Sequence, residues 1–159
     1  MQKITTYLWF DDQAEEAAAY YIATFGDGRI VETNRFPGPE PDADDVVIVT
    51  FELFGQQFIA LNGGAQDFHF NESVSLYVEC EDQAEVDRYW STLVGDGGQE
   101  IECGWLRDKY GLRWQIIPKQ LTEALSDPDP AAARRAMNAM LGMKKIDVER
   151  LRSALQPQG

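Results

Sequence analysis

One tetrapeptide occurs twice in this sequence, as Asp12-Gln13-Ala14-Glu15 and, 70 residues later, as Asp82-Gln83-Ala84-Glu85. Residues on both sides of it match at the same spacing: Tyr7 with Tyr77, and Tyr20 with Trp90. Further along the chain the spacing falls to 56 residues, and the matches are Gly55 with Gly111, Phe58 with Trp114, and Leu61 with Ile117. A period this long is not typical of a solenoid, so two copies of one module are indicated.

Each copy of the module is predicted to contain a strand, a helix and then three strands. The first helix is expected to begin at Asp11 or Asp12, with Glu15 completing a capping box, and to end at Gly26. The strands of the first module are predicted over residues 4–10, 29–35, 46–53 and 57–61. The second module is predicted to contain strands over residues 74–78, 99–103, 104–108 and 112–117, and a helix over 83–94.

The C-terminal residues have no counterpart in the repeat. Asp129-Pro130 predicts a helix start, because Asp is a favoured N-cap and Pro a favoured first helical residue. Asp147 is expected to cap a last helix, and these helices should cover a sheet or bind a second subunit. The predicted organisation is a first module at 1–64, a second at 65–118 and a helical extension at 119–159, together one α+β domain.

Charge and composition exclude several classes of partner. The chain has 159 residues, of which 27 are acidic and 14 basic, so its net charge is −13. Nucleic acids and anionic membranes are not expected as partners, because both require a basic face. No apolar run approaches the ~20 residues of a membrane helix, and the first residues lack a signal-peptide pattern. Cys80 and Cys103 are too few for a disulfide scaffold, so we expect a cytoplasmic protein with reduced thiols.

The repeat and several local motifs resemble the vicinal oxygen chelate superfamily, which includes glyoxalase I, bleomycin-resistance proteins and extradiol dioxygenases. Within it the sequence is similar to the PhnB-like family, also called 3-demethylubiquinone-9 3-methyltransferase. The motifs that carry the resemblance are Leu8-Trp9-Phe10-Asp11, Ala60-Leu61-Asn62-Gly63-Gly64, Cys103-Gly104-Trp105-Leu106, Asp108-Lys109-Tyr110-Gly111 and the tail from Asp127 to Asp147. The resemblance implies a cup-shaped eight-stranded mixed sheet, a ligand in the cup and a homodimer.

The metal site of the superfamily is not expected in this chain. The resemblance maps the ligand positions to Thr5, Ser75, Ile59 and Gln115. Of these only Gln115 could ligate a metal ion, and a lone amide oxygen is a weak ligand. The single histidine, His69, lies between the modules. We therefore predict neither a metal nor a cofactor. The glycines at 95–98 follow a predicted helix, so they do not form a nucleotide-binding loop, which follows a strand.

Strand alternation predicts the side chains that line the cup. In the first strand of the second module, Ser75, Tyr77 and Glu79 share the face directed away from the helix. The repeat assigns Thr5, Tyr7 and Trp9 to the same face, and Gln115 joins them from the last strand. Aromatic walls with scattered polar groups are typical of a small-molecule pocket. The alternative is that the aromatic rings fill the cup as core.

Three functions are compatible with these residues. The first is a metal-independent protein that binds a small molecule or acts as an accessory factor. The second is an enzyme (a lyase, isomerase or transferase) acting on a small metabolite in the cup. In that case Glu79 is the candidate acid–base group and Cys103 the candidate nucleophile, although a buried inert thiol is the alternative for Cys103. The third is a structural or regulatory dimer whose tail helices bind a partner.

Overall fold

Eight strands form two four-stranded mixed sheets within residues 1–157, the part of the chain that the computed structural model describes. The chain divides into two units, Met1–Phe68 and His69–Gly159, and each contains one copy of the strand–helix–three-strand module. The predicted duplicated α+β architecture is therefore confirmed. No helix in the described residues is long and apolar enough to span a membrane.

The first unit is built from five elements. They are β1 (Thr6–Phe10), α1 (Ala14–Phe25), β2 (Gly28–Phe36), β3 (Val46–Leu53) and β4 (Gln56–Asn62). The strand order is β1-β4-β3-β2, with β1 parallel to β4 and the other pairs antiparallel. Alternate residues of β3, from Val47 to Leu53, are buried. They face α1, whose alanines Ala14, Ala17 and Ala18 are fully buried, so α1 covers one face of this sheet.

The start of α1 differs from the prediction. Neither Asp11 nor Asp12 caps the helix: the N-cap residue is Gln13, and its side chain makes no capping bond. Instead the backbone amide of Ala14 donates a hydrogen bond to Oδ1 of Asn62, at 2.7 Å, from the end of β4. The predicted stop is confirmed, since Gly26 caps the C-terminus in the left-handed conformation (φ 72°), which glycine adopts without steric cost.

The second unit repeats these elements and adds three helices. Its module contains β5 (Ser75–Cys80), α2 (Gln83–Gly95), β6 (Gln99–Glu100), β7 (Trp105–Arg107) and β8 (Arg113–Pro118). The strand order is β5-β8-β7-β6, with β5 parallel to β8. The added helices are α3 (Lys119–Leu125), α4 (Pro130–Leu141) and α5 (Val148–Leu155).

The capping box predicted with Asp12 and Glu15 is absent from α1, and a related arrangement is present on α2. Oδ1 of Asp82 accepts from the amide of Glu85 at 2.9 Å, and the Glu85 carboxylate accepts in return from the amide of Glu81. Two further predicted caps are confirmed: Asp129 accepts from Ala131, and Asp147 from Arg150. The two copies of the repeat therefore start their helices by different means.

The strand predicted over residues 99–103 is shorter than expected. Cys103 adopts a positive φ of 59°, and the chain turns there. The amides of Cys103 and Gly104 donate to the carbonyls of Met143 and Lys144, at 2.8 and 2.7 Å, rather than to a neighbouring strand. These two amides bond to the tail, so they are not available to pair with a neighbouring strand and extend β6.

The tail helices pack on the second unit. Their core consists of Ile117, Leu121, Met143, Ile146 and Leu151. The side chain of Gln83, in the first turn of α2, also joins the tail: its amide donates to the carbonyl of Ile146, and its oxygen accepts from the amide of Val148. The tail is expected to cover a sheet or bind a second subunit; in the structure its helices pack mainly on one another and meet the sheet at Ile117 of β8.

Candidate functional site

Each sheet has a face that its own module helix does not cover. In the first unit, the first open face carries Tyr7 and Trp9 of β1, which lie beside Ile59 and Leu61 of β4. Tyr7 is 50% exposed and Trp9 38%. These two rings therefore do not fill the core of their own unit. Thr5, the remaining predicted pocket residue here, is half-buried just before β1.

Trp9 is held in place by the segment that follows β4. Its indole Nε1 donates to the carbonyl of Gly64 at 2.9 Å, and its ring meets Phe68 edge-on, with centroids 5.2 Å apart. A Cβ atom on Gly63 would overlap the Trp9 ring, so only glycine fits there. The signal in the sequence was the motif Asn62-Gly63-Gly64. Its Asn62 caps α1, and its Gly63 allows the backbone to approach the Trp9 ring.

The second open face lies in the second unit and has three rows of side chains. Ser75, Arg113 and Arg107 form the first row, and Tyr77, Gln115 and Trp105 the second; Glu79 begins the third. Tyr77 is 53% exposed. Gln115 donates from Nε2 to Oγ of Ser75 at 3.0 Å, which fixes its amide across the first two rows. The predicted residues Ser75, Tyr77, Glu79 and Gln115 therefore share this face.

The two candidate catalytic residues lie in different settings. Glu79 is exposed on β5. Cys103 is half-buried in the turn held by the tail, and no described residue hydrogen-bonds to its thiol. Cys80 is fully buried, and burial raises the pKa of its thiol to about 12, so it is an inert core residue. The catalytic roles of Glu79 and Cys103 stay predictions.

The residues that the resemblance maps to metal-ligand positions do not fit a metal ion. Gln115 is bonded to Ser75, and Ile59 and Thr5 offer no carboxylate or imidazole. Among residues 1–157 no group of three or more His, Cys, Asp or Glu side chains has the arrangement to hold a metal. His69 is exposed.

Two cavities are lined by residues other than those predicted for the pocket. One, of about 440 Å³ in the first unit, is lined by Asp11, Asp12, Pro39, Asp44, Asp45, Val46, Asn62, Gly63 and Gly64. The other, of about 430 Å³ in the second unit, is lined by Asp82, Gln83, Ala84, Gln120, Asp147, Val148, Glu149 and Arg152. None of the predicted pocket residues lines either cavity.

Asp108 is a buried carboxylate whose role the sequence analysis missed. It is 1% exposed. Oδ1 accepts from the amides of Tyr110 and Leu112, at 2.8 and 3.0 Å, and Oδ2 accepts from the Trp114 indole at 2.9 Å. These bonds fix the hairpin between β7 and β8, and thereby the first two rows of the second open face. The available signal was the motif Asp108-Lys109-Tyr110-Gly111 followed by Trp114.

A family model described as 3-demethylubiquinone-9 3-methyltransferase matches residues 2–117. The chain belongs to this family. The PhnB protein from Bacillus cereus has 35% sequence identity and a TM-score of 0.66, and the match covers 74% of this chain and 99% of that one. A search of proteins with curated functions found no match.

Two more distant structures share the fold of this PhnB-like protein. Protein PA1353 from Pseudomonas aeruginosa has 20% identity and a TM-score of 0.58, covering 74% of this chain and 98% of its own. The fosfomycin resistance protein FosX from Listeria monocytogenes has 14% identity and a TM-score of 0.58, covering 79% and 98%. The predicted PhnB-like family is confirmed by the family model and the Bacillus cereus relative, and FosX shares the fold. The family model ends at Ile117, so the tail residues counted with the resemblance lie outside the matched span.

The glycine-rich segment of this PhnB-like chain does not support the methyltransferase activity named in the family's description. The glycine-rich segment 95–98 follows α2 and precedes β6. A nucleotide-binding glycine loop has the reverse order, strand before helix, so that the helix N-terminus meets the phosphates. The segment is a helix stop, as predicted.

Proposed function

We propose that this PhnB-like protein binds a small organic molecule on its open sheet faces, as a metal-independent binding or accessory protein. The observation that carries the proposal is the exposure of Tyr7, Trp9 and Tyr77, all on sheet faces that the module helices leave uncovered. Exposed aromatic rings beside a fixed polar group such as Gln115 suit a ligand with an apolar body and one or two polar atoms.

A fragment screen by ligand-observed NMR tests this proposal. We expect binders whose affinity falls in Tyr77→Ala and in Tyr7→Ala, because each substitution removes an exposed ring from a face. Leu141→Ala is the matched control, since Leu141 is a similarly exposed apolar residue on α4. Binders that are insensitive to both tyrosine substitutions would contradict the proposal.

We also propose that two copies of the chain associate and that the protein works in the cytoplasm. The exposed apolar rings favour self-association, and two free cysteines suit a reducing compartment. Light scattering after size-exclusion chromatography should give about twice the chain mass of 18.0 kDa. A monomer at all concentrations would contradict the proposed dimer.

A further inference from the structure

We infer that Arg107 is the binding group for a carboxylate on the second open face, and that the ligand is an aromatic carboxylic acid. The inference rests on the proposed function and names its ligand class. Arg107 lies on β7, directly beside Arg113 of β8, and both side chains share the open face because Leu106, between Arg107 and Trp105, is fully buried on the other side.

The two arginines differ in their partners. Arg113 is neutralised: its guanidinium binds the carboxylate of Glu72 at 2.7 Å and the carbonyls of Phe70 and Gly111. Arg107 makes no ion pair with any residue among 1–157. Its Nε is buried without a hydrogen-bond partner, as is Nε of Arg113, so the ion pair to Glu72 is what distinguishes the two side chains. Acidic residues outnumber basic ones by 27 to 14 in this chain, so the missing carboxylate is not explained by composition.

A buried Nε without a hydrogen-bond partner is costly to the protein alone. Buried polar atoms in native proteins nearly always have a partner, and a half-buried charge without one loses hydration with nothing in return. Arginine presents a planar fork of N–H donors that a carboxylate accepts through two parallel hydrogen bonds. On the open face, Arg107 is therefore available to bind a carboxylate, whereas Arg113 is already bound to the carboxylate of Glu72.

The neighbouring row supplies the rest of the ligand's chemistry. Trp105 and Tyr77 lie on the same face, one row from Arg107, and two residues along a strand span about 6.6 Å. A ring attached to a carboxylate has this dimension, with its acid group at Arg107 and its apolar body in the second row. Arg107 supplies one positive charge, which matches a monoanion better than a phosphate dianion. The net charge of −13 further disfavours a dianion, because the chain repels it more strongly.

Calorimetric titration of the full-length protein with four probes tests the inference. We expect benzoate to bind more tightly than benzamide, its neutral analogue, than acetate, which lacks the ring, and than inorganic phosphate. Arg107→Met should lower benzoate affinity about ten- to hundredfold and leave benzamide unchanged. Arg107→Lys should give an intermediate loss, because it retains the charge without the fork. Arg134→Met, an exposed arginine of α4, makes the same change in net charge and should have no effect.

Stability measurements separate this role from a structural one. Arg107→Met should unfold in urea at the same or a higher concentration than the unchanged protein, because it removes an unpaired charge. Arg113→Met should unfold at a lower concentration, because it breaks bonds to Glu72 and Phe70.

The possible failures are distinguishable. Equal binding of benzoate and benzamide, or benzoate binding that Arg107→Met leaves unchanged, overturns the inference but leaves the proposed function standing. Preference for phosphate overturns the carboxylate assignment. If neither ring compound binds up to its solubility limit, the inference fails, and the fragment screen with Tyr77→Ala then decides the proposed function separately.

Discussion

At the scale of single residues, the environment of a side chain decides its chemistry more than its type does. Cys80 and Cys103 are both free thiols, yet one is fully buried against α2 and the other half-buried in a turn. Asp108 and Asp96 are both carboxylates, yet one accepts three hydrogen bonds inside the hairpin and the other is largely exposed. Each pair supports a direct experiment.

Asp108 should be among the most sensitive polar positions of the second unit. We expect Asp108→Ala to lower the free energy of unfolding by about 3 kcal/mol, because it leaves the amides of Tyr110 and Leu112 and the indole of Trp114 without an acceptor. Asp108→Asn should also destabilise, since its NH₂ group would face an N–H donor. Urea unfolding measures both, and Asp96→Ala is the control, with an expected change below about 0.5 kcal/mol. Similar losses for Asp96→Ala and Asp108→Ala would contradict this account.

The two cysteines should react at very different rates. Burial raises the pKa of the Cys80 thiol to about 12, so at pH 8 it is neither ionised nor accessible. We expect one thiol to react with a disulfide reagent in the native protein and the second only in denaturant. Cys103→Ser should abolish the native reaction, whereas Cys80→Ala should leave it intact. Native reactivity that survives Cys103→Ser would show that Cys80 is accessible.

At the scale of elements, the two copies of the repeat cap the N-terminus of their helix with different residues. The N-terminus of α2 is capped by the local Asp82, and that of α1 by Asn62 from the end of β4. The position equivalent to Asn62 in the second unit is Pro118, which has no side-chain acceptor. The cap is therefore at the strand end in the first unit and at the helix start in the second.

Capping substitutions should follow the structure rather than the repeat. We expect Asn62→Ala and Asp82→Ala each to cost about 1 kcal/mol of unfolding free energy, the usual value of a lost N-cap. Asp12→Ala, at the position equivalent to Asp82, should change it little, because Asp12 caps nothing. Thermal unfolding of the three variants under one buffer condition checks the order. A loss in Asp12→Ala as large as that in Asp82→Ala would mean that the local capping box operates in α1.

At the scale of the whole molecule, acid stability depends on a few carboxylates that hold segments together. A hydrogen bond from Arg113 lowers the pKa of Glu72, which ties the segment before β5 to β8. A hydrogen bond from Lys145, with a smaller one from Gln83, lowers the pKa of Asp87, which ties α2 to the tail. Both carboxylates are therefore more acidic in the folded chain than in the unfolded one.

The sign of the pH dependence follows from these shifts. The contribution of each carboxylate is complete above its unfolded pKa, about 4, and is lost as the pH falls through the lower folded value. We expect the urea midpoint to fall as the pH drops below about 4, and to fall less steeply in the double variant Glu72→Gln, Asp87→Asn. Identical slopes in the variant and the unchanged protein would contradict the assignment. The unchanged protein has a net charge of −13, and the double variant differs from it by only the two charges removed, so general charge repulsion is similar in both.

The sequence by itself determined the features that depend on neighbouring residues. The repeat of Asp12-Gln13-Ala14-Glu15 predicted two modules, and alternation in the strands predicted which residues leave the helix-covered face. The caps at Asp82, Asp129 and Asp147 were predictable because the acceptor and the amide lie within three residues of each other. Of the candidate site, it predicted the shared face of Ser75, Tyr77, Glu79 and Gln115.

Only the tertiary structure decided the interactions that span long stretches of chain. Asn62 caps a helix 48 residues earlier, and the tail at Met143 ends β6 by accepting from Cys103. Arg107 and Arg113 have the same residue type, and only the position of Glu72 makes one neutral and leaves the other unpaired. Local propensity and periodicity act between neighbours along the chain. A hydrogen-bond partner 40 residues away is selected only when the folded backbone brings the two groups within 3 Å or so.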